Sequence, residues 1–217
     1  VLVIGAGVVG VATAYALARR GFCVTIADQA SGVGQGASFA NGAQLSYAYT
    51  DALATPKLLR HMPALALGMD PVFRLKPSVD PGYIAWLLRF VRNCTRARAL
   101  ETTMAGLALG LESRLALHDL LAQHPLDFGY EAPGKLHLYR DEAGFSAAAI
   151  LAELKGTHGA VQHVLSRQDA LQREPALAAY ADDFVGALYS PEDELGDPHR
   201  FCRALLDVLV HRYGVTL

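Results

Sequence analysis

The chain has 217 residues, long for one simple domain and short for two complete ones. With 52% hydrophobic and 18% charged residues it can bury a sizeable core and does not read as disordered. Its net charge of −2 argues against nucleic acid or an acidic membrane surface as the main partner.

No apolar run approaches the ~18 residues needed to cross a bilayer, and no basic n-region with a cleavage site precedes the first strand pattern. Cys23, Cys94 and Cys202 are few and far apart, and read as buried small hydrophobes in a reducing compartment rather than as disulfides or metal ligands. Asn93-Cys94-Thr95 matches a glycosylation sequon, but within a helical segment it reads as chance. Residue 1 already lies in a strand pattern, and "HRYGVTL" stops just as a new strand starts, so the chain is expected to be a fragment.

Val1 to Ile4 is wholly aliphatic, as in a central parallel strand covered on both faces. "VVGVATAYALARRG" then reads as a helix from Val8, with Arg19 and Arg20 at its end and Gly21 as its stop. "CVTIAD" is a second strand that closes on an acid, Asp28, which completes a βαβ unit. Gly5 permits the tight turn out of the strand, Gly7 lets backbone approach a pyrophosphate, and Gly10 lets the helix lie close to the sheet. The helix N-terminus offers free N–H groups and a partial positive charge. Asp28 is placed to accept from ribose hydroxyls. A glycine spacing alone is a weak signal; strand, helix, second strand and acid together point to a dinucleotide.

A nicotinamide enzyme would continue with another helix and a third parallel strand. Instead, "QASGVGQGASFANGAQLSYAYT" is polar and glycine-punctuated without a helical period, and reads as a loop. Beside a cofactor it would present backbone N–H groups with Ser38, Asn41 and Gln44 to the polar edge of a flavin; the other reading is a surface linker.

Here the residues also resemble a family. The opening "VLVIGAGVVGVATAYALARRGFCVTIAD" with "GASFANGAQLS" is similar to the FAD-dependent D-amino acid oxidase superfamily, most of all to its bacterial D-amino acid dehydrogenases. "WLLRFVRNCTRARA" and "ELGDPHRF" support the same resemblance. It implies an α/β fold, with a Rossmann-type FAD-binding domain and an inserted mixed-sheet α+β substrate domain. It also implies FAD contacts from Gly5, Gly7, Val8, Val9, Gly10, Asp28 and Gln29, and from Ser38, Asn41, Gly42 and Gln44 in the loop.

Residues 51–80 are punctuated by Pro56, Pro63, Pro71 and Pro77 and read as short helical turns and loop. "PGYIAWLLRFVRNC" is a helix with Tyr83, Trp86, Leu87 and Phe90 on one face, Trp86 reading as a core anchor. A longer helix, from about Ala99 to Gln123, carries Leu100, Met104, Leu107, Leu111 and Leu115 as a packing stripe. "FGYE", "GKLHLYR" and "FVGALYSP" read as strands, with Leu136 and Leu138 on one face of their strand and His137 and Tyr139 on the other. "DEAGFSAAAILAELKGTHG" is a helix, and "VQHVLSRQDALQREP" is a strand followed by a short helix. Asp197 caps a helix that starts at Pro198, buries Phe201, Leu205 and Leu209, and ends at Gly214. With the resemblance, this divides the chain into residues 1–50 (FAD domain), 51–195 (substrate domain) and 196–217 (return to the FAD domain, incomplete).

None of the eight histidines forms a triad or ligand pattern. His118 and His124, six apart on one helix, lie on different faces, which disfavours a metal. His61, His137 and His163 read as structural or exposed. Glu192, Asp193 and Glu194 form a short acidic cluster that reads as a solvated loop, the other reading being a face toward an amine substrate. For an amino-acid substrate, the carboxylate calls for Arg with Tyr as second donor. Tyr47 and Tyr49 are the local candidates, while nothing in spacing selects Arg74 or Arg89; the resemblance assigns the main carboxylate clamp to a C-terminal half that this stretch lacks. The expected reaction is oxidative deamination of D-amino acids through FAD, with electrons passed to a quinone or another acceptor. The resemblance places such a protein in the cytoplasm or peripherally on the inner face of the cytoplasmic membrane, with the oligomeric state open. The alternatives are a related amine or 2-hydroxy acid oxidoreductase, or a non-catalytic nucleotide-binding or assembly subunit.

Overall fold

The computed structural model describes residues 1–69, 75 and 78–217. Pro71, Arg74 and Pro77 lie outside the described residues. Strand β1 (Leu2–Ile4) leads through the glycine turn into helix α1 (Val8–Ala18) and back to β2 (Thr25–Ala27), which pairs parallel to β1. Helix α7 (Pro198–Tyr213) returns to this unit. Its Asp197 cap accepts from the His199 and Arg200 N–H groups, and Gly214 ends it in the left-handed conformation. Thr216 then bridges parallel to Thr25 on the outer side of β2. The main core lies between α1, α7 and one face of these strands, and holds Val11, Ala14, Ile26, Cys202, Leu205 and Leu209.

The expectation for β1 needs correcting. Only Val3 is buried; Leu2 and Ile4 point away from α1 and are 60% and 84% exposed. Among the described residues nothing covers that face, so an all-aliphatic strand here is covered on one side only. Cys94 and Cys202 are buried as expected, but Cys23 is exposed because it falls in the turn before β2.

Between α1 and α7 in sequence lies a second layer. Strands β4 (Lys135–Tyr139), β5 (His163–Ser166) and β6 (Gly186–Ser190) form an antiparallel sheet in the order β4-β6-β5. As the central strand, β6 is buried along its whole length, which its sequence "GALYS" allows. Helix α5 (Glu142–Gly156), capped by Asp141, and helix α6 (Arg167–Arg173), opened by a Ser166–Asp169 capping box, pack against the sheet. A short 3-10 stretch, Pro175–Asp183, leads into β6. Phe184, Ala187 and Ala170 form the core on one side. "FGYE" makes no strand; it contributes only an isolated bridge from Glu131 to Leu195.

Three helical expectations change. Residues 56–66 form one continuous helix, α2 (Pro56–Ala66), rather than short turns. In α3 (Pro81–Asn93) no residue is buried, and Trp86 is 53% exposed. Trp86 is therefore not a core anchor: it stacks between Tyr83 and Phe90 along the helix's own surface, at centroid distances of 6.0 and 5.5 Å. Helix α4 (Arg96–Gln123) has 28 residues, so it is about 42 Å long. The predicted stripe holds only at its middle, where Leu107 is buried with Met104 and Leu111 beside it, while Leu100 and Leu115 are exposed. Further along, a different face, Leu117, Leu120 and Leu121, joins the α1–α7 core.

Candidate cofactor site

The turn between β1 and α1 is built on close backbone approach. Gly5 adopts φ +100° and its N–H donates to Ala27 C=O at 2.7 Å, so the chain leaves β1 while still tied to β2. A Cβ on Gly10 would lie 1.8 Å from the Gly5 carbonyl oxygen, so only glycine lets α1 sit this near the strand. Gly7 is the N-cap residue, without a capping side chain, and the first turn of α1 carries no acid. No acidic side chain of that turn therefore opposes the partial positive charge of the helix start. Ser38 approaches from the loop, and its hydroxyl oxygen accepts from Val8 N–H at 3.0 Å. A Cβ on Gly7 would come within 3.2 Å of that same oxygen, so the space between loop and helix is narrow at this point.

Asp28 lies beside the turn. One carboxylate oxygen accepts from Ala6 N–H at 2.6 Å and the other from Ala30 N–H at 2.8 Å. Backbone N–H groups of Ala30, Ala6 and Gln29 hold its carboxyl below the usual carboxylate range. It stays charged, with further lone pairs turned to solvent. Gln29 is exposed next to it, as are Val8 and Val9 at the helix start.

The loop that follows is irregular, as expected, apart from strand β3 (Gln44–Leu45), which pairs antiparallel with β7 (Glu194–Leu195). Asn41 accepts from Ala43 N–H at 2.8 Å, which closes a small turn around Gly42 and places Ala43 at φ +53°. Asn41, Gly42 and Gln44 are exposed, while Ser38 is buried against α1. An open groove of about 740 Å³ starts beside the turn at Val8 and Val9, with Leu45 and Tyr47 in its wall, and runs along α1.

The two tyrosines part company. Tyr47 is buried, and its hydroxyl donates to Glu194 at 2.7 Å; burial and that carboxylate push its pKa up. Its hydroxyl is spent inside the protein. Tyr49 is 50% exposed, stacked on the His137 ring at 4.2 Å, with the Lys135 ammonium 4.6 Å from its ring centroid. Burial, then the Lys135 charge, lower the His137 pKa, which favours the neutral ring.

The acidic run is not a solvated loop. Glu192 pairs with Arg114 at 3.0 Å, and Asp193 and Glu194 are buried. Oδ1 of Asp193 accepts from Tyr47 N–H at 3.0 Å, while Oδ2 is buried without a partner among the described residues. Glu194 accepts from Tyr47 and meets His118 Nε2 at 2.6 Å. Burial pushes the Glu194 carboxyl up, but the hydrogen bonds of Tyr47, His118 and Tyr130 outweigh it and the net direction is down. Lys155 on α5 is also buried, with its ammonium donating to Ala48 C=O at 2.8 Å and to Asp51. The acids gave no periodic signal, since a short loop has none. Lys155 did: it continues the Leu151–Ala152 face of its helix.

Burial raises the Asp193 pKa, so the folded state keeps a proton that the unfolded chain releases. Stability from this group is full below about pH 3.9, its unfolded value, and is lost as pH rises through the raised folded value. Asp193→Asn, which keeps an oxygen for the Tyr47 N–H, is expected to raise the melting temperature at pH 7. That gain should vanish in acid, as followed by circular dichroism.

The family model described as FAD dependent oxidoreductase matches residues 1–217. D-amino acid dehydrogenase 2 of Ralstonia nicotianae is 44% identical over 218 residues, which span 100% of this chain and 51% of that protein. D-amino acid dehydrogenase 2 of Pseudomonas aeruginosa is 40% identical over 96% of this chain and 49% of its own length. The chain thus spans about half the length of the curated relatives it matches. Among solved structures, L-proline dehydrogenase from P. horikoshii aligns over 100% of this chain and 42% of its own, with a TM-score of 0.68 at 19% identity. Glycine oxidase from Geobacillus kaustophilus aligns over 100% and 45%, with a TM-score of 0.65 at 20% identity. At these identities the two structures speak for the fold alone. No helix among the described residues is long and apolar enough to cross a membrane. By the match along its whole length, the chain belongs to the FAD dependent oxidoreductase family.

Proposed function

We infer that this stretch belongs to an enzyme that oxidises D-amino acids to 2-oxo acids and ammonia through bound FAD, and passes the electrons to a quinone or another acceptor. The observation that carries the substrate class is the 44% identity to a D-amino acid dehydrogenase along the whole of this chain. In this reading residues 1–50 and 196–217 form the FAD part and residues 51–195 the substrate part. The Thr216–Thr25 bridge and the α1–α7 core support that division.

The residues at the turn fit FAD. The N-terminus of α1, at Gly7, Val8, Val9 and Gly10, has no acid in its first turn and suits a pyrophosphate, and the cradle at Gly7 is one that a side chain would fill. Gly5 shapes the turn, Asp28 keeps lone pairs for a ribose, and Gln29 flanks it. Ser38 fixes the loop against α1, which leaves Asn41, Gly42 and Gln44 exposed along the cofactor's side. When bound, FAD supplies the two-electron acceptor that oxidation of an amino-acid α-carbon requires. The protein's share is to orient the substrate and exclude water. Of the two tyrosines, Tyr49 is the half-exposed one whose phenol can donate to a carboxylate, while Tyr47, its hydroxyl taken by Glu194, lines the groove along α1.

Asp28→Asn replaces one carboxylate oxygen with an amide NH₂ and removes the charge. The FAD dissociation constant, followed by flavin fluorescence, is expected to rise about tenfold or more. The substrate reading is tested by anaerobic absorbance of the full-length flavoprotein. D-alanine should bleach the flavin band, and L-alanine, glycine and lactate should not. A flavin that no D-amino acid reduces overturns the reading; bleaching by lactate or glycine alone moves it to a 2-hydroxy acid or simple amine oxidoreductase.

A further inference from the structure

Asp193, Glu194 and Lys155, contributed by the start of β7, the residue before it and α5, are buried and converge on one segment that is neither strand nor helix. Asp193 takes the Tyr47 N–H, and lies 3.5 Å from that of Ala48. Lys155 takes the Ala48 carbonyl and the Asp51 carboxylate, and Glu194 takes the Tyr47 hydroxyl. The ends of the segment are tied as well. Lys135 donates to Ser46 at 2.9 Å, the Thr50 hydroxyl donates to the Thr103 carbonyl at 3.1 Å, and Ala52 N–H donates to the Thr103 hydroxyl at 3.0 Å.

Burying ions is costly, and apolar side chains would hold a loop in place with less desolvation. What charged groups add is direction: each fixes a particular N–H, carbonyl or hydroxyl. Within the segment, Tyr49 is the large side chain left half exposed, between two pinned neighbours, its ring stacked on His137 with the Lys135 ammonium close to it. The segment also follows directly on the loop assigned to the cofactor.

We propose that Asp193, Glu194 and Lys155 are positioning residues that hold the Ser46–Asp51 segment so that Tyr49 meets the substrate in one orientation. This rests on the reading of the site above. These three groups touch neither substrate nor cofactor; they act through Tyr49 and remove the need to order it at binding.

The test uses the full-length, FAD-loaded protein with Lys155→Met, Glu194→Leu and Glu194→Gln. The first two are expected to raise KM for D-alanine about tenfold while kcat and the FAD dissociation constant stay within about threefold. Glu194→Gln, which still offers Tyr47 an acceptor, should restore most of the loss. The visible circular dichroism of the bound flavin should change in parallel with KM. Folded variants with unaltered KM and unaltered dichroism overturn the proposal. If the charged-site variants do not fold, Tyr47→Phe, which removes one oxygen, decides: a raised KM at steady kcat supports the clamp, and an unchanged KM overturns it. If the wild-type flavin answers to no D-amino acid, only the substrate reading falls; altered flavin dichroism in the variants then upholds the clamp, and unaltered dichroism overturns it. A full-length wild type that binds no FAD overturns both.

Discussion

Gly10→Ala is expected to lift α1 off β1 and to cost the fold about 3 kcal/mol, with loss of bound flavin. The added carbon would sit 1.8 Å from the Gly5 carbonyl oxygen and 2.9 Å from its carbon, so both partners in the clash are backbone. No rotamer change can relieve it, and Gly5 cannot retreat because its own N–H is held by Ala27. The helix has to move, and with it the N–H groups assigned to the cofactor's phosphates. Thermal melting and flavin absorbance per mole of protein check this together. Wild-type values for both would mean that α1 does not lie this close to the strand.

The second large effect is expected at Gly110 on α4. A Cβ there would lie 2.5 Å from the Tyr47 carbonyl oxygen, again a backbone atom, and one at Gly106 would lie 3.2 Å from Thr50 Cβ. These two glycines, one helical turn apart, let α4 rest directly on the segment that presents Tyr49. Gly110→Ala is expected to cost about 1–3 kcal/mol by denaturant titration and to raise KM for the amino-acid substrate more than it lowers kcat. Gly156→Ala in α5, where nothing lies within 4 Å, is the matching control. It should be neutral or stabilising by about 0.5–1 kcal/mol.

What could be read without the structure was local. The βαβ unit was legible because the turn needs glycine at fixed steps and the second strand must close on an acid. The helix start at Asp197 was set by a residue that caps in any context. What faces what was not legible. The aliphatic run of β1 told nothing of which side would be covered, and Leu2 and Ile4 turned out exposed. Trp86 had the spacing of a core residue but stacks on its own helix. The acids at 193 and 194 had the composition of a loop, yet partners more than 140 positions away bury them, as the Tyr47 contacts show. Lys155 and the pair Gly106 and Gly110 did leave a trace, each on a helix face where a different residue type would have been unremarkable. Their role follows only from the segment they meet.

The most direct measurement of the cofactor assignment is the flavin content of the purified full-length protein and of its Gly7→Val variant, each checked for folding by its melting temperature. A side chain at Gly7 would occupy the narrow space before Ser38 where the pyrophosphate is assigned. The wild type should carry FAD and absorb in the visible, and the folded variant should be colourless. A folded Gly7→Val protein with undiminished flavin would contradict the placement of the cofactor at this turn.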